Sequence, residues 1–336
     1  MIVPTQGDAA RLEGLLDALA RQTLDRKAWE LIIAADTPSP DPDLERRVVG
    51  FGGAARVVPA GGGPGAARNR GAESARGEWL AFTEDDCTPA PDWLERAAVL
   101  LAQHPEAEVL TGLTLKPRGR PVHRQQGGEP LYLPTNLFVR RDTFARAGGY
   151  CADFFDPATR VFFREDSDFG FTLEAIGARV VDAPEARVEH PDEHPGFWDP
   201  VRWARRHVMD PLLAARHPQR FRDRIEVHRL GPIRVRRPIV RLCLAFVVAS
   251  LAAAVATLAG ALVVGGELAL VALATLLGVW AKWRFDPRRL PVLPVVPIVL
   301  VFSLIGGHRR ARRIMRGGSG SSIAAGTGAA PRRDAR

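Results

Sequence analysis

Cysteine, methionine and tyrosine are scarce in this sequence of 336 residues, which has three cysteines, three methionines and two tyrosines. The cysteines, Cys87, Cys151 and Cys243, form no Cys-x-x-Cys pair and no Cys/His spacing, which argues against a disulfide framework and against a zinc module encoded by spacing. No cleavable export signal precedes the first strand-like residues. We therefore expect the N-terminal part of the chain to lie in a reducing compartment.

The net charge of +8 is distributed unevenly along the chain. Residues 1–201 carry about −10, residues 202–241 and 284–336 about +9 each, and residues 242–283 about zero. Basic blocks that flank apolar stretches are typical of cytoplasmic anchors under the positive-inside rule. Nearly all the cations are arginines, which suits phosphate binding, but a GC-rich genome gives the same bias. We expect no nucleic-acid partner.

Residues 242–306 are largely apolar and predict a membrane region. Residues 242–264 are long enough to cross the hydrocarbon layer as a helix, and residues 268–283 return after a glycine turn, with two tryptophans at the exit. This pattern predicts a hairpin with both ends on the cytoplasmic side. The stretch 292–305 is short, contains two prolines and precedes a basic segment, so a third crossing and a re-entrant or interfacial segment both remain open.

Basic segments lie on either side of the membrane region, at 201–241 and 307–336. Around the start of the first, residues 198–217 place apolar side chains on one helical face and arginines on the others, which predicts a helix on the membrane surface. A helix that caps the preceding domain is the alternative. The second segment is rich in glycine, alanine, serine and arginine towards its end and predicts a disordered tail.

Residues 1–200 have the pattern of an α/β domain. Strand-like runs alternate with helical periodicity, with strands at 2–3, 31–35, 56–59 and 79–83 and helices at 9–21, 65–75 and 91–103. This alternation predicts a Rossmann-like, mostly parallel sheet. After an irregular stretch at 116–130, a smaller mixed half follows, with a strand at 131–139, a helix at 142–147 and a loop at 164–168 that opens another helix.

Three carboxylates, Glu84, Asp85 and Asp86, directly follow the apolar strand at 79–82. The carboxyl end of a parallel strand is where α/β sheets bind ligands, and mutual repulsion of the carboxylates favours a divalent cation that bridges them to phosphate. Oxygen ligands suit Mg²⁺ or Mn²⁺. A solvated acidic turn is the alternative for this triplet taken alone.

Two other segments are candidates for binding and catalysis. The glycine-rich segment 61–71 opens a helix that carries Arg68 and Asn69, which are suited to a phosphate or nucleotide. Its glycine spacing also matches a dinucleotide fingerprint, but it lies too far from the first strand for that fold. Glu165 and Asp166 begin a helix and are either a general base and its neighbour or helix-capping residues.

Taken in order over residues 2–217, these segments resemble the family 2 glycosyltransferases, which have a GT-A nucleotide-sugar-binding domain. The resemblance rests on VPT at 3–5, WELIIAAD at 29–36, GAARNRGAESARGEWLAF at 65–82, EDD at 84–86, TNLFVRRDTFARAGGY at 135–150 and EDSDFGF at 165–171. It implies a GT-A catalytic domain of the α/β class, followed here by the C-terminal transmembrane hairpin. It also implies an inverting glycosyltransferase, which we interpret as hexosyltransferase-type.

The resemblance assigns the site residue by residue. Nucleotide-sugar binding falls to Pro4, Thr5, Asp36, Arg68, Asn69 and Asp85; the divalent cation, Mg²⁺ or Mn²⁺, to Asp86, Glu84 and His190; catalysis to Asp166; and acceptor binding to Asn136, Glu165, Arg205 and Arg206. In this scheme Asp166 takes the acceptor's hydroxyl proton while the cation and Arg68 stabilise the departing nucleoside diphosphate, and the direct displacement inverts the anomeric carbon. An ordinary surface histidine is the alternative for His190.

Three positions depart from the family pattern. Glu84 stands where the usual triplet begins with aspartate, Ala35 precedes Asp36 in place of an aspartate pair, and few residues precede Val3. The altered triplet leaves two alternatives open: a catalytically silent membrane scaffold, and a nucleotidyltransferase that uses the same metal–phosphate geometry. The short first strand motivates the hypothesis that Met1 lies downstream of the true start, which an upstream in-frame apolar coding stretch would support.

The sequence as a whole predicts a multi-pass protein of the plasma (inner) membrane with its catalytic domain in the cytoplasm. Its expected partners are a nucleotide-sugar donor, a saccharide or lipid-linked acceptor of the cell envelope, and membrane lipids. The basic segment 201–241 is expected to hold anionic head groups or a lipid diphosphate.

Overall fold

The computed structural model describes residues 1–7, 9–122, 132–192, 196–230 and 233–317. The strands in these ranges are β1 Ile2–Thr5, β2 Leu31–Ala35, β3 Ala55–Pro59, β4 Trp79–Phe82, β5 Thr88–Pro89, β6 Val109–Lys116, β7 Arg120–Pro121, β8 Leu137–Arg140, β9 Phe155–Asp156, β10 Val161–Phe162, β11 Val180–Glu189, β12 Val227–Leu230 and β13 Ile233–Arg236. Part of the predicted strand at 131–139 lies at β8, and residue 131 itself lies outside the described residues.

The helices surround the sheet in the first two thirds of the chain and pack on one another in the last third. They are α1 Ala9–Ala20, α2 Pro42–Gly50, α3 Gly63–Ser74, α4 Trp93–Gln103, α5 Arg141–Ala147, α6 Glu165–Ala175, α7 Asp199–Arg206, α8 Asp210–Arg216, α9 Pro218–Arg220, α10 Pro238–Leu258, α11 Leu262–Lys282 and α12 Val295–Gly317. Short 3₁₀ segments at Arg26–Ala28, Pro117–Gly119, Ala152–Phe154, His207–Met209 and Pro287–Val292 connect some of them, and a π-helical turn, Phe221–Glu226, follows α9.

The main sheet is mixed, with strand order β3-β2-β1-β4-β8-β6-β11-β5. Strands β3, β2, β1 and β4 are parallel, as the βα pattern predicts. Strand β8 is antiparallel to both β4 and β6, whereas β11 is parallel to β6. Strands β1, β2, β4 and β11 therefore all end at the same edge of the sheet. The α/β fold is confirmed, with a more mixed second half than the N-terminal pattern indicates.

Hydrophobic residues on both faces of the sheet explain why it forms. Strands β1 and β2 are buried throughout, as expected for central strands covered by helices on both sides. One face packs against α1, α2 and α4, through leucines such as Leu12 and Leu15. The opposite face packs against an aromatic cluster that includes Phe144, Tyr150 and Phe169, with the last two rings stacked 4.5 Å apart. This cluster supports the start of α6, which carries Glu165 and Asp166.

The region 198–217 is not one surface helix. It folds as α7 and α8 with a 3₁₀ turn between them, and it buries Met209, Leu212 and Leu213 in a small core with Phe154 and Phe171. The prediction of a single helix lying on the membrane surface is therefore wrong, because its apolar side chains are buried inside the protein. Those of α8 pack against the α/β domain, and Val201, Trp203 and Ala204 of α7 pack against α10, α11 and α12. The alternative, a capping element, describes this segment better.

Buried ion pairs join α8 to the start of α6. Arg164 donates to Asp210 at 2.9 Å, and the same carboxylate contacts Nδ1 of His207 at 2.8 Å. One turn further on, Asp168 accepts hydrogen bonds from Arg216 at 2.6 and 3.2 Å, and Nε2 of His217 lies 3.0 Å from it. The two clusters hold residues 164–168 against the capping helices.

We expect the ion pair between Arg164 and Asp210 to make the protein less stable at acid pH. Burial would raise the pKa of Asp210, but the hydrogen bond with His207 and the charge of Arg164 outweigh it and lower the pKa to about 2. The pKa of this carboxyl in the unfolded chain is about 3.9, so above pH 3.9 the ionised carboxylate adds about 2 to 3 kcal/mol to the free energy of unfolding. This contribution is lost as the pH falls from about 3.9 towards 2. Thermal unfolding in detergent at pH 7 and pH 3 tests this in the wild type, in Asp210→Asn and in the exposed control Asp17→Asn. Equal pH dependence in the wild type and Asp210→Asn would contradict it.

The two apolar helices α10 and α11 are long and apolar enough to cross a membrane, judged by length and composition. They pack against each other, and many of their side chains remain exposed, among them Leu258 and Val263. The predicted spans 242–264 and 268–283 are displaced. Helix α10 begins earlier because Pro238 suits a first turn, and it ends before Gly260, whose φ of +81° breaks the helix. The glycines expected to form the turn instead lie inside α11, where Gly265 approaches α10 closely at Thr257.

The C-terminal helix α12 corrects one prediction. Residues 307–336 were expected to form a disordered tail, but α12 continues without a break to Gly317. Most of the stretch 292–305, for which a third crossing and a re-entrant or interfacial segment were both left open, forms the first half of this helix. Its first half packs on α10, while Gly307 and Ala311 are buried in its second half, Gly307 against α8 and the preceding 3₁₀ turn and Ala311 in the small core. The basic stretch does not end the helix because its arginines project from exposed faces between these small residues. Residues 318–336 lie outside the described residues.

Candidate active site

A cleft of about 410 Å³ opens at the sheet edge where β1, β2, β4 and β11 end. Eight of its fourteen lining residues lie at the end of one of these strands or in the segment that follows it. They are Pro4, Thr5, Gln6, Asp36, Pro64, Arg68, Glu84, Asp85, Asp86, Phe155, Arg160, Phe162, His190 and Arg206. This is the position at which open α/β sheets bind ligands.

A hydrogen bond between the ends of β1 and β4 fixes the floor of the cleft. Oγ1 of Thr5 donates to Asp85 at 2.7 Å, and both side chains are buried. The two strands are parallel neighbours, so the residues that follow them meet directly. Asp85 is therefore held by the protein, while Glu84 and Asp86 on either side of it lie nearer the opening.

Glu84, Asp86 and His190 form an acid–histidine cluster on one side of the cleft. Nε2 of His190 lies 3.6 Å from Oε2 of Glu84 and 4.0 Å from Oδ1 of Asp86. The three residues meet because β5 crosses the sheet edge and pairs with the end of β11, with Thr88 opposite Glu189. The carboxylate of Glu84 raises the pKa of His190 to about 9, so the protonated ring balances the two acids.

The acid–histidine cluster fits a divalent cation. Nδ1 of His190 contacts the carbonyl oxygen of Pro191 at 2.8 Å, which makes it the protonated nitrogen and directs Nε2 towards the two carboxylates. Within the described residues the donor atoms of Glu84, Asp86, His190 and Cys87 all lie within 4.8 Å of one another. Two carboxylates and an imidazole are ordinary ligands for Mn²⁺, and the carboxylates for Mg²⁺.

Arg68 is the main cation of the cleft. Its side chain is 2% exposed, and its Nη2 donates to Glu84 at 3.0 Å. Nε and Nη1 have no hydrogen-bond partner among the described residues, although Nη1 lies 3.7 Å from Glu165. Buried guanidinium nitrogens without partners cost free energy unless a ligand completes their hydrogen bonds. An anion in the cleft beside the acid–histidine cluster would complete them.

The opposite wall of the cleft is built around Asp36, directly after β2. One oxygen accepts a hydrogen bond from the backbone N–H of Gly63 at 3.0 Å, and the other accepts from Arg160 at 2.9 Å. Gly63 has a φ of +85°, and a Cβ there would lie 2.5 Å from the ring of Phe155. A glycine is therefore required for the start of α3 to approach both Asp36 and the β9–β10 hairpin.

Glu165 and Asp166 lie at the start of α6, behind Arg68. Glu165 is 8% exposed, and burial together with the neighbouring charge of Asp166 raises the pKa of Glu165 well above its usual range. Asp166 is partly exposed, and its Oδ1 accepts hydrogen bonds from the backbone and hydroxyl of Ser167 at 2.6 and 3.2 Å. The Asp166 carboxylate is thus held in one orientation next to the cleft without being one of its lining residues.

The structure brings nine of the predicted site residues to the cleft. They are Pro4, Thr5, Asp36, Arg68, Glu84, Asp85, Asp86, His190 and Arg206. Glu165 contacts the cleft through Arg68, and Asp166 follows it in sequence. Arg205 is exposed on α7 beside Arg206 and does not line the cleft.

Two predicted site residues, Asn69 and Asn136, have structural roles instead. Asn69 binds the backbone of Tyr150 twice, once through its amide nitrogen and once through its oxygen, each at 2.8 Å. Asn136 is 1% exposed and accepts from Nε1 of Trp93 at 2.9 Å. Its amide nitrogen donates to the carbonyl oxygens of Leu113 and Ala186. The hydrogen bonds of these two amides are made inside the domain, which favours a structural role over the predicted nucleotide and acceptor roles.

We expect Asn136→Ala to destabilise the protein rather than weaken acceptor binding. The substitution leaves the buried Trp93 donor and two carbonyl oxygens without partners, which costs about 1 to 3 kcal/mol or more. Thermal unfolding and acceptor KM, measured on the same preparation at low temperature, separate the two roles. A raised KM with an unchanged unfolding midpoint would restore the acceptor role.

Sequence reasoning missed five lining residues, Gln6, Pro64, Phe155, Arg160 and Phe162. Three of them belong to the β9–β10 hairpin, whose two strands pair across a turn. The sequence FFDPATRVFF at 154–163 could have indicated this hairpin, because an Asp-Pro turn lies between two pairs of aromatic residues. Aromatic rings at the rim of a cleft are suited to stacking on a flat ring system, which makes this hairpin a candidate for contacting a planar part of a ligand.

Comparison with protein families gives a match that covers half of the chain. The profile described as "Glycosyl transferase family 2" matches residues 1–168. That range contains most of the residues that line the cleft, and His190 and Arg206 lie beyond it. No curated protein sequence matches the chain.

Solved structures with a similar fold are known. A mannosyltransferase, PcManGT, from Pyrobaculum calidifontis, in complex with GDP-Man and Mn²⁺, is 18% identical, with a TM-score of 0.53 over 90% of this chain and 86% of that chain. Residues 1–349 of S. aureus TarS are 16% identical, with a TM-score of 0.48 over 94% of this chain and 90% of that chain. The first of these likenesses supports the α/β fold described above.

Proposed function

The chain belongs to glycosyl transferase family 2, and on this premise we propose that its cleft binds a nucleotide-sugar donor and transfers the sugar with inversion to a saccharide acceptor. The observation that carries this proposal is the side chain of Arg68, which is buried next to the acid–histidine cluster. Among the described residues its Nε and Nη1 make no hydrogen bond, and the only ion pair of Nη1 is a 3.7 Å contact with Glu165. A donor diphosphate supplies the acceptors that these nitrogens lack, and it also suits a cation held by the cluster.

The two walls of the cleft suit different parts of the donor. Asp36 on the β2 side offers carboxylate oxygens for the nucleoside, whose hydroxyls and base would replace the contact with Arg160. Thr5 and Asp85 at the floor, with Pro4 beside them, fit the region between nucleoside and diphosphate. Arg68 fits the diphosphate, and Arg206, which also lines the cleft, is the second guanidinium available to it.

We assign the divalent cation, Mg²⁺ or Mn²⁺, to Asp86, Glu84 and His190. When bound, such an ion neutralises the charge that develops on the departing nucleoside diphosphate. Glu84 takes the place of the usual aspartate without loss of ligand chemistry, because glutamate offers the same carboxylate. Its second contact, with Arg68, links the cation ligands to the diphosphate-binding guanidinium.

We assign the general base to Asp166. It takes the proton of the acceptor hydroxyl as that oxygen attacks the anomeric carbon from the face opposite the leaving diphosphate, which inverts the configuration. The hydrogen bonds from Ser167 hold one carboxylate oxygen in place. Glu165, buried against Arg68 with a raised pKa, separates the base from the diphosphate site and, with Arg205, contributes to the acceptor side.

We further propose that α10 and α11 anchor the protein in the plasma (inner) membrane with both ends in the cytoplasm. The arginines on either side of this hairpin suit the cytoplasmic face, and the exposed apolar side chains suit lipid. This divides the chain into a catalytic domain at 1–200, a basic segment at 201–237 and a membrane-associated part from the start of α10 to the end of α12. A lipid-linked saccharide is the acceptor that such an anchor favours.

The experiment that tests the function is a donor panel with the detergent-purified full chain, in the presence of Mn²⁺ or Mg²⁺. GDP-mannose and UDP-N-acetylglucosamine are the first probes, because PcManGT and a TarS fragment were solved with GDP-Man and UDP-GlcNAc. Release of nucleoside diphosphate from one of the donors supports a glycosyltransferase reaction. In a separate assay with a nucleoside triphosphate and a sugar 1-phosphate as substrates, release of pyrophosphate would identify a nucleotidyltransferase. No binding of any donor would favour a silent scaffold.

A further inference from the structure

A thiol lies next to the three residues of the acid–histidine cluster. Cys87 follows Asp86 and is fully buried, with its Sγ 3.9 Å from Oδ1 of Asp86. The Sγ atom, one oxygen of each carboxylate and a nitrogen of His190 all lie within 4.8 Å of one another. The pairing of β5 with β11 brings Cys87 and His190 together although they are far apart in sequence. The spacing of cysteine and histidine in the sequence therefore does not predict this site.

The four donors differ in kind from the set that Mg²⁺ prefers. One sulfur, one imidazole nitrogen and two carboxylate oxygens are the donors found in tetrahedral Zn²⁺ sites, whereas Mg²⁺ prefers oxygen ligands in an octahedron. Metal–ligand bonds of about 2.0 to 2.3 Å in a tetrahedron place neighbouring donors roughly 3.3 to 3.5 Å apart. Three of the six separations between donor atoms are 3.6, 3.9 and 4.0 Å, and all six are within 4.8 Å, so side-chain movements of about 1 Å bring the four donors to tetrahedral positions.

We propose that the acid–histidine cluster binds a thiophilic divalent cation of the Zn²⁺ class with Cys87 as its fourth ligand, and that this ion inhibits the enzyme. Binding breaks the S–H bond of Cys87 and forms a sulfur–metal bond, and the proton passes to the solvent. A tetrahedral ion held by four protein ligands has no position left for a diphosphate oxygen. With Mn²⁺ or Mg²⁺, the carboxylates and the imidazole serve as ligands and positions remain open for the donor.

The inhibitory half of this inference rests on the proposed function, whereas the binding half does not. The cluster binds the ion through residues of this chain alone, and the bound ion is detectable without any donor. Inhibition follows only if the donor diphosphate uses the same cluster. The two halves therefore need separate measurements.

Cobalt(II) tests the binding half, because it replaces zinc and reports its ligands by absorption. We expect the detergent-purified full chain to give a near-ultraviolet thiolate-to-cobalt band and tetrahedral visible bands on titration with Co²⁺, and Zn²⁺ to abolish both. Cys87→Ser should lose the thiolate band and bind Co²⁺ at least about ten-fold more weakly. Cys151→Ser, which changes a cysteine outside the cluster, should keep the spectrum.

Three results would overturn the binding half: no thiolate band in the wild type, a band that persists in Cys87→Ser, or a band lost equally in Cys151→Ser. An unchanged thermal unfolding midpoint shows that Cys87→Ser is folded. If it is not, His190→Asn replaces it and must weaken Co²⁺ binding while Cys87 is intact. The inhibitory half is tested by measuring how Zn²⁺ inhibits Mn²⁺-dependent transfer. Cys87→Ser should need at least about ten-fold more Zn²⁺ than the wild type for the same inhibition. If the protein gives the thiolate band but binds no donor, the proposed metal site stands and the proposed function is wrong.

Discussion

Replacing Asp166 by asparagine is expected to abolish sugar transfer while leaving donor binding intact. The amide cannot accept the acceptor's proton, and loss of a general base lowers turnover by about 10² to 10⁴-fold. The substitution keeps the size of the side chain and an oxygen that accepts from Ser167, so the start of α6 should keep its conformation. Single-turnover transfer and equilibrium donor binding, measured on the same protein, separate chemistry from affinity.

The control for this variant is Asp17→Asn, an exposed carboxylate on α1 away from the cleft. It should match the wild type in transfer and in donor affinity. Full turnover by Asp166→Asn would remove Asp166 from the reaction. An equal loss of donor binding and transfer would show that the residue supports the donor site instead of acting as the base.

The second large effect is expected for Asp86→Asn. This substitution removes a carboxylate charge from the acid–histidine cluster, so Mn²⁺ binding and Mn²⁺-dependent donor binding should each weaken by at least about 10 to 100-fold. Because the cation and the diphosphate bind together, added Mn²⁺ should restore part of the affinity. Isothermal titration with the donor at several Mn²⁺ concentrations measures this linkage.

Glu84→Asp provides the matched comparison for this variant, since it keeps the charge and restores the usual aspartate of the triplet. It should retain metal-dependent donor binding, although the shorter side chain lengthens the contact with Arg68. If Asp86→Asn bound donor as tightly as the wild type at every Mn²⁺ concentration, the cation would not lie on this cluster.

The parts of the site that follow parallel strands were predictable from the sequence. Asp36 and Asp85 each come shortly after an apolar strand, and parallel strands end at one edge, so the pattern predicts that the two carboxylates lie near each other. The nucleotide roles of Thr5 and Asp36 were assigned by the resemblance. His190 was placed by resemblance and not by pattern. Its meeting with Asp86 depends on the pairing of β5 with β11, a long-range contact between a two-residue strand and a ten-residue strand that has no local signature.

The sequence does not reveal which polar residues make all their hydrogen bonds inside the domain. Asn136 lies within a family motif, but its amide bridges Trp93 and two backbone carbonyls, and nothing local indicates such partners. Helix ends in the apolar part were misplaced for a related reason. Gly265 looks like a turn residue, yet it serves close packing between α10 and α11, whereas Gly260 ends the helix through a positive φ.

Helix α12 was missed because its sequence changes character midway, from apolar to basic. Its continuity comes from tertiary contacts: Gly307 and Ala311 pack against the capping elements, and Arg310 donates to the carbonyl oxygens of Asp153 and Phe155. These contacts join α12 to the segment that carries Phe155 at the cleft. Local periodicity cannot reveal contacts between parts of the chain that are so distant.

Pulsed electron paramagnetic resonance of Mn²⁺ bound to the full chain, with the donor's nucleoside diphosphate added, tests the central claim most directly. The account predicts a ³¹P coupling from the diphosphate and a ¹⁴N coupling from His190 in the same complex, because one ion lies between the acid–histidine cluster and the ligand. Asp86→Asn should reduce both signals, and His190→Asn should remove the nitrogen coupling. Bound Mn²⁺ with nucleoside diphosphate but without ³¹P coupling would contradict the account.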